Sequence, residues 1–129
     1  MGGSLLLDTN AVSALNTGDA VLRRRIAGAD AAYMAIITVG ELHFGARKST
    51  HVDRNLARIE DLVRALPIVG CDEDTAAQYG IIKAALHTRG RPVPENDIWI
   101  AAIACQHALT LITRDAHFDE ITGLVTEAW

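Results

Sequence analysis

Short apolar runs alternate along this chain with longer stretches in which apolar residues recur every three or four positions. Runs of this kind fit strands covered on both faces, because a parallel sheet is buried between layers of helices. They predict strands at residues 5–7, 32–37, 68–71 and 109–113, with a fifth, edge strand at 123–125. The stretches with helical spacing predict helices at residues 11–15, 20–27, 39–47, 52–66, 72–87 and 96–108.

Three of the predicted helices carry clear signals about their ends or their surroundings. The helix at 52–66 is amphipathic, ends before Pro67, and has its apolar side chains at Val52, Leu56, Ile59, Val63 and Leu66. The next helix has a capping residue in Asp72. The helix at 96–108 is apolar almost all round, which predicts a central position in the fold.

Strands that alternate with helices from one end to the other predict an α/β domain. Right-handed crossovers would give a central, mostly parallel sheet of four to five strands, flanked by helices on both faces. The 129 residues suit a single domain, so we expect residues 1–129 to fold as one unit. In such sheets ligands bind beyond the carboxyl ends of the strands, which directs attention to the residues that follow each strand.

The composition excludes several classes of protein. Half of the residues are hydrophobic and 22% are charged, a balance opposite to that of a disordered chain. Twelve Lys and Arg residues against 16 Asp and Glu residues give a net charge of −4. A uniformly basic nucleic-acid-binding surface is therefore excluded, whereas a local basic patch is not.

The cysteines and the apolar runs indicate in which cellular compartment the protein is expected. Cys71 and Cys105 lie in apolar stretches and form no C-x-x-C pair, so we expect buried free thiols in a reducing environment. The first residues lack the basic region of a signal peptide. The longest strongly apolar run, residues 98–105, is too short to cross a bilayer. We expect a soluble, cytoplasmic protein without a membrane partner.

Four carboxylates follow predicted strands or begin predicted helices. Asp8 ends the first strand, and Asp115 lies two residues past the fourth. Glu41 lies in the first turn of the helix after the second strand, and Asp97 in the first turn of the apolar helix. The first three are expected at the carboxyl edge of the sheet, and the position of Asp97 is the least constrained.

Each carboxylate alone has an ordinary interpretation. Glu41 could complete a capping box with Thr38, Asp97 could interact with its helix dipole, and Asp8 and Asp115 could be turn residues. Together they would repel one another, by about 4 kcal/mol for two unit charges about 4 Å apart at an effective dielectric of 20. A compensating cation is therefore expected. Oxygen ligands favour Mg²⁺ or Mn²⁺, ions suited to phosphodiester chemistry.

Four motifs in order resemble one known family. They are LDTN at 7–10, TVGEL at 38–42, NDIWIAA at 96–102 and LITRDAHF at 111–118. Across essentially the whole chain the sequence resembles PIN-domain ribonucleases, most closely the VapC toxins of bacterial toxin–antitoxin pairs. The resemblance implies a metal-dependent endoribonuclease, the toxin of a type II pair, with a central parallel sheet and a Mg²⁺ (or Mn²⁺) cofactor.

The resemblance also assigns roles to residues. Asp8 and Asp97 would be the main direct metal ligands, and Glu41 and Asp115 would complete the site directly or through water. The hydroxyls of Thr9 and Thr113 could hold ligands or water, and Asn96 could position Asp97 or the substrate. Asp119 is expected to be a solvated surface residue. The number of bound ions, one or two, stays open.

The resemblance further implies partners: an RNA substrate, a VapB-like antitoxin that inserts an arginine near the acidic cluster, and a second copy in a homodimer, possibly within a higher assembly. No acidic residue lies between positions 75 and 94, which makes that segment a candidate RNA path. The basic candidates are Arg23, Arg24, Arg25, Arg47, Lys48, Lys83, His87, Arg89 and Arg91. The RNA target, whether transfer, ribosomal or messenger RNA, stays open.

Two alternatives remain at this stage. A PIN-like fold could bind RNA without cutting it, although the intact acidic set argues against this. A phosphoacceptor receiver domain is also a small parallel α/β unit with an acidic Mg²⁺ pocket. A receiver needs neighbouring acids after its first strand and a lysine after its last, whereas this chain offers Asp8 and Arg114 there.

Overall fold

The sheet at the centre of the molecule is entirely parallel. The computed structural model describes residues 2–129 and contains five strands in the order β3-β2-β1-β4-β5. Their bounds are Ser4–Leu7 (β1), Ala31–Ala35 (β2), Ile68–Val69 (β3), Thr110–Ile112 (β4) and Thr126–Glu127 (β5). The predicted α/β architecture is thereby confirmed, with a sheet that is parallel throughout.

Six α-helices and one short 3₁₀ helix connect the strands. The α-helices are Thr9–Asn16 (α1), Ala20–Ala27 (α2), Ile36–Arg47 (α3), Val52–Ala65 (α4), Glu73–Thr88 (α5) and Glu95–Gln106 (α6), and the 3₁₀ helix is Ala116–Glu120. Asp72 caps α5 through a reciprocal pair of hydrogen bonds with Thr75, as its sequence position predicts. No helix within residues 2–129 is long and apolar enough to cross a membrane.

Alternate residues of β1 pack into two separate hydrophobic cores, because successive side chains of a strand point to opposite faces of the sheet. Leu6 packs with α5 and α6 on one face of the sheet. Leu5 and Leu7 pack with α1, α2 and α4 on the other. Helix α6 has six buried residues, from Ile98 to Ala104, which agrees with its predicted central position. Helices therefore cover both faces, and the carboxyl end of β1 is held firmly between them.

Two predicted strands extend too far and one is misplaced. The third strand ends at Val69, two residues before its predicted end. The second strand ends at Ala35, and Ile36 and Ile37 form the first turn of α3. The pairing of β2 with β1 ends at Met34 and its pairing with β3 ends at Ala35, so neither neighbouring strand holds the following residues in the sheet. The fifth strand lies at Thr126–Glu127.

The cysteine prediction is also wrong in part. Both thiols are free, but Cys71 is exposed and Cys105 is only partly buried. Cys71 lies just beyond β3, the short strand at one edge of the sheet, and outside any helix or strand. The apolar run that contains it thus ends in a surface loop.

Candidate metal centre

Asp8 is the most buried of the four carboxylates, with 4% of its surface exposed. It caps α1, and its Oδ1 accepts a hydrogen bond from the backbone N–H of Ala11 at 2.7 Å. Its Oδ2 accepts one from the hydroxyl of Thr113 at 2.5 Å. Burial raises the pKa of Asp8 above its ordinary value, and the two hydrogen bonds act in the opposite direction. A charged Asp8 is therefore held in place but costs free energy.

Thr113 links the ends of two neighbouring strands. Its hydroxyl donates to Asp8 and accepts a hydrogen bond from the backbone N–H of Asp115 at 3.0 Å. Asp115 in turn caps the 3₁₀ helix, because its Oδ1 accepts from the backbone N–H of His117 at 2.9 Å. A continuous chain of hydrogen bonds thus runs from Asp8 at the end of β1 to Asp115 beyond β4.

Glu41 lies in the second turn of α3, not the first, because that helix begins at Ile36. The capping box with Thr38 is therefore absent: Thr38 lies within the helix and is fully buried. Glu41 Oε1 instead accepts a hydrogen bond from the hydroxyl of Thr9 at 2.6 Å. That hydroxyl also lies 3.3 Å from Thr38 Oγ1. Thr9 thus fixes a carboxylate that comes from a different element of the fold.

Asp97 lies in the first turn of α6, as its position in the sequence predicts. Burial raises its pKa from 3.8 to about 6, and the negative charges of Asp115, Glu41 and Asp8 act in the same direction. The nearby His117 opposes this increase. Asp97 therefore experiences the charges of all three other candidate residues.

These interactions bring the four predicted residues into one electrostatic cluster. Asp115 and Glu41 also raise the pKa of Asp8. Within residues 2–129, no Lys or Arg side chain lies within 4.0 Å of these four carboxylates. Partly buried negative charges without a matching cation are costly, and carboxylate oxygens are the ligands that hard divalent ions take. The donor set therefore fits Mg²⁺ or Mn²⁺.

His117 is a member of this cluster that the sequence-based assignment missed. Its Nδ1 lies 3.1 Å from Asp115 Oδ1 and 3.8 Å from Asp97 Oδ2. The three side chains present ligand atoms that all lie within 4.8 Å of one another. The available signal was the position of His117, two residues after Asp115 in the last motif.

The remaining candidates are more peripheral. Asp119 and Asn96 are exposed. Three of the candidate RNA-binding cations are already in ion pairs: Arg25 with Glu127, Lys83 with Glu95, and Arg91 with Glu120. Those that remain exposed include Arg23, Arg24, Arg47, Lys48 and His87.

The comparisons with known proteins identify the family. The PIN domain family matches residues 5–124. Ribonuclease VapC2 of Haemophilus influenzae is 43% identical over 94 residues, which cover 72% of this chain and 71% of that protein. The tRNA(fMet)-specific endonuclease VapC of Shigella flexneri is 38% identical over 94 residues, with the same two shares covered.

A solved structure agrees with the sequence comparisons. The crystal structure of DNA-bound VapBC from Salmonella typhimurium matches with a TM-score of 0.90 and 31% identity, covering 100% of this chain and 99% of that chain. These matches exclude the receiver-type alternative. The chain belongs to the PIN-domain family and, within it, to the VapC ribonucleases.

Proposed function

We propose that this protein is a Mg²⁺- or Mn²⁺-dependent endoribonuclease and the toxin of a type II toxin–antitoxin pair. Asp8, Glu41, Asp97 and Asp115 would hold the ion. The observation that carries this proposal is the clustering of four carboxylates with no lysine or arginine within ion-pair distance among residues 2–129. Such a cluster costs stability in the absence of a cation, which favours a role in binding one.

The side chains divide the work of building this site. Thr113 and the backbone of Ala11 orient Asp8, and Thr9 orients Glu41. Asp97 is placed by the first turn of the buried helix α6. A bound Mg²⁺ or Mn²⁺ would polarise a phosphodiester and lower the pKa of a bound water. The carboxylates would fix the position at which this chemistry takes place.

The substrate is RNA, with transfer RNA as the first class to test. This choice is supported by the Shigella flexneri relative, whose name specifies tRNA(fMet). Aromatic residues make up only 5% of the chain, so base stacking has a small part and recognition depends on backbone and shape. Exposed cations such as Arg47 and Lys48, at the end of the helix that carries Glu41, would contact phosphates.

The expected protein partners are a VapB-like antitoxin and a second copy of the chain, possibly in a higher assembly, in the cytoplasm. Support comes from the solved relatives, which were crystallised as VapBC complexes. An arginine from the antitoxin would form a charge-assisted contact with the acidic cluster. Phe44 is 67% exposed and lies on the helix that carries Glu41, so an apolar surface is available beside the site for a partner to cover.

The proposal is tested by incubating the purified protein with total cellular RNA and with isolated initiator tRNA. We expect cleavage with added Mg²⁺ or Mn²⁺, its loss with chelator, and discrete ends by end mapping. Asp8→Asn and Asp97→Asn should abolish cleavage in folded protein, whereas Asp119→Asn, an exposed control, should cleave normally. Normal cleavage by the first two variants would refute the site. Binding of RNA without cleavage by the unaltered protein would identify a non-catalytic module.

A further inference from the structure

His117 occupies a position for which the four carboxylates alone do not account. Its backbone N–H donates to Asp115 Oδ1 at 2.9 Å, and its Nδ1 lies 3.1 Å from the same oxygen. The same nitrogen lies 3.8 Å from Asp97 Oδ2. The imidazole therefore points toward the space between two of the proposed metal ligands, although 55% of its side chain is exposed to solvent.

These separations resemble those between ligands of one ion. An octahedral ion with bonds of about 2.1 Å places neighbouring ligand atoms about 3 Å apart and opposite ones about 4.2 Å apart. The distances of 3.1 Å and 3.8 Å fall within this range. The ligand atoms of Asp97, Asp115 and His117 all lie within 4.8 Å of one another, so only a small contraction is required.

We propose that His117 supplies a nitrogen ligand to the ion held by Asp97 and Asp115, and that this ligand makes the site prefer Mn²⁺ over Mg²⁺. The inference rests on the proposed function, because it assumes a dication at the acidic cluster. Carboxylate and water ligands serve Mg²⁺ and Mn²⁺ alike, whereas imidazole is a better ligand for transition metals than for Mg²⁺. One nitrogen ligand therefore distinguishes two ions that the carboxylates do not.

The test uses RNA-free protein and Mn²⁺ itself as the probe. Pulsed electron paramagnetic resonance of bound Mn²⁺ detects a directly coordinated nitrogen through its nuclear coupling. We expect ¹⁴N coupling in the unaltered protein and a change to ¹⁵N coupling when histidine is labelled with ¹⁵N. His117→Asn should lose the coupling, because it removes the imidazole nitrogen. Asparagine is chosen because its amide keeps a hydrogen-bond donor near the position of Nδ1.

Competition between the two ions gives a second measurement. In His117→Asn the Kd for Mn²⁺ should rise about tenfold or more, since even the outer partners of metal ligands contribute about 10- to 100-fold. The Kd for Mg²⁺ should change much less, so that the preference for Mn²⁺ falls. His107→Asn is the matched control, because His107 is exposed at the opposite end of α6 and should behave as the unaltered protein.

The outcomes separate this inference from the function on which it rests. Mn²⁺ that binds without nitrogen coupling, and is lost in Asp97→Asn, would overturn the ligand role of His117 and leave the acidic site intact. Nitrogen coupling that persists in His117→Asn would likewise overturn it. Mn²⁺ binding that is absent, or unaffected by Asp97→Asn, would overturn both this inference and the proposed metal site.

Discussion

Asp97→Asn should make the metal-free protein more stable at neutral pH while it removes the response to metal. Asp97 is partly buried and lies close to three other acids, which together raise its pKa from 3.8 to about 6. In its charged form it therefore opposes folding. Asparagine has almost the same shape and removes the charge, so the substitution relieves this repulsion without creating a cavity.

The size and the sign of the effect follow from the pKa. At 1.36 kcal/mol for each pH unit, the difference between 3.8 and about 6 corresponds to about 3 kcal/mol of stability at neutral pH. Since 19% of the side chain is open to solvent, screening reduces this to about 2 kcal/mol. The folded state holds the proton more tightly than the unfolded state. The contribution of Asp97 to stability therefore falls as pH rises from about 4 to about 6, and the penalty is then constant.

Thermal unfolding with chelator at pH 5 and pH 7 measures this difference. We expect Asp97→Asn to raise the Tm at pH 7 by about 8 °C and by less at pH 5, where the native carboxyl is largely protonated. Added Mn²⁺ at about 100 times its Kd should stabilise the unaltered protein by about 2.7 kcal/mol and the variant by much less. Asp119→Asn makes the same change in net charge at an exposed position and should leave the Tm nearly unchanged.

A Tm for metal-free Asp97→Asn at or below that of the unaltered protein would refute the electrostatic argument. An equal gain from Mn²⁺ in both proteins would show that Asp97 does not contribute to the metal site. The two measurements are independent, because the first concerns repulsion within the protein and the second concerns binding. If both results agree with expectation, the carboxylate that destabilises the metal-free protein is also one that binds the metal.

Three further predictions concern other residues. Thr113→Val removes the hydroxyl that donates to Asp8 and accepts from Asp115. The variant should cleave at least tenfold more slowly and, by denaturant titration, be about 1–3 kcal/mol less stable. Normal cleavage would contradict the positioning role of Thr113. Thr75→Val removes half of the α5 capping box. The same titration should show a loss of about 1–2 kcal/mol in the free energy of unfolding, with the cleavage rate unchanged. Unaltered stability would contradict the role of Thr75 in the cap. Cys105→Ala should lower the Tm and leave the cleavage rate intact; loss of cleavage in folded protein would refute a purely structural thiol.

The sequence predicts the fold well because the strongest signals are periodic and local. The run at Leu5–Leu7 is a strand in the structure because it is buried on both faces. The helix at Ala20–Ala27 has the predicted bounds, and Asp72 caps the helix expected to follow it. Such features depend on side chains close together in the chain, and no distant partner is needed to form them.

The errors occur where a distant partner decides the outcome. Ile36 and Ile37 read as a strand because they are β-branched and apolar, but the neighbouring strand is too short to pair with them. The apolar residues 123–125 predict the fifth strand, yet it forms at Thr126–Glu127. There the backbone pairs with β4, and Glu127 forms an ion pair with Arg25 from α2. Neither partner is recognisable from the local pattern.

The same distinction explains what could be predicted of the candidate site. Two of the side chains are fixed by hydroxyls from elsewhere in the fold: Thr113 holds Asp8, and Thr9 holds Glu41. These contacts span 105 and 32 residues. The family resemblance indicates that these two hydroxyls could hold ligands, but which acid each one holds depends on the fold.

The other side of the cluster is built differently. Asp97 and Asp115 are more open, with side chains 19% and 30% exposed, and their neighbour His117 lies on a short 3₁₀ helix and not on the sheet. Asp8, by contrast, is buried between β1 and β4 and held by two hydrogen bonds. The site thus combines a fixed half at the sheet edge with a more accessible half. A cation entering from solvent would contact the accessible half first. Because the side chains of the fixed half cannot move apart, the charge of the cation would be what relieves their repulsion.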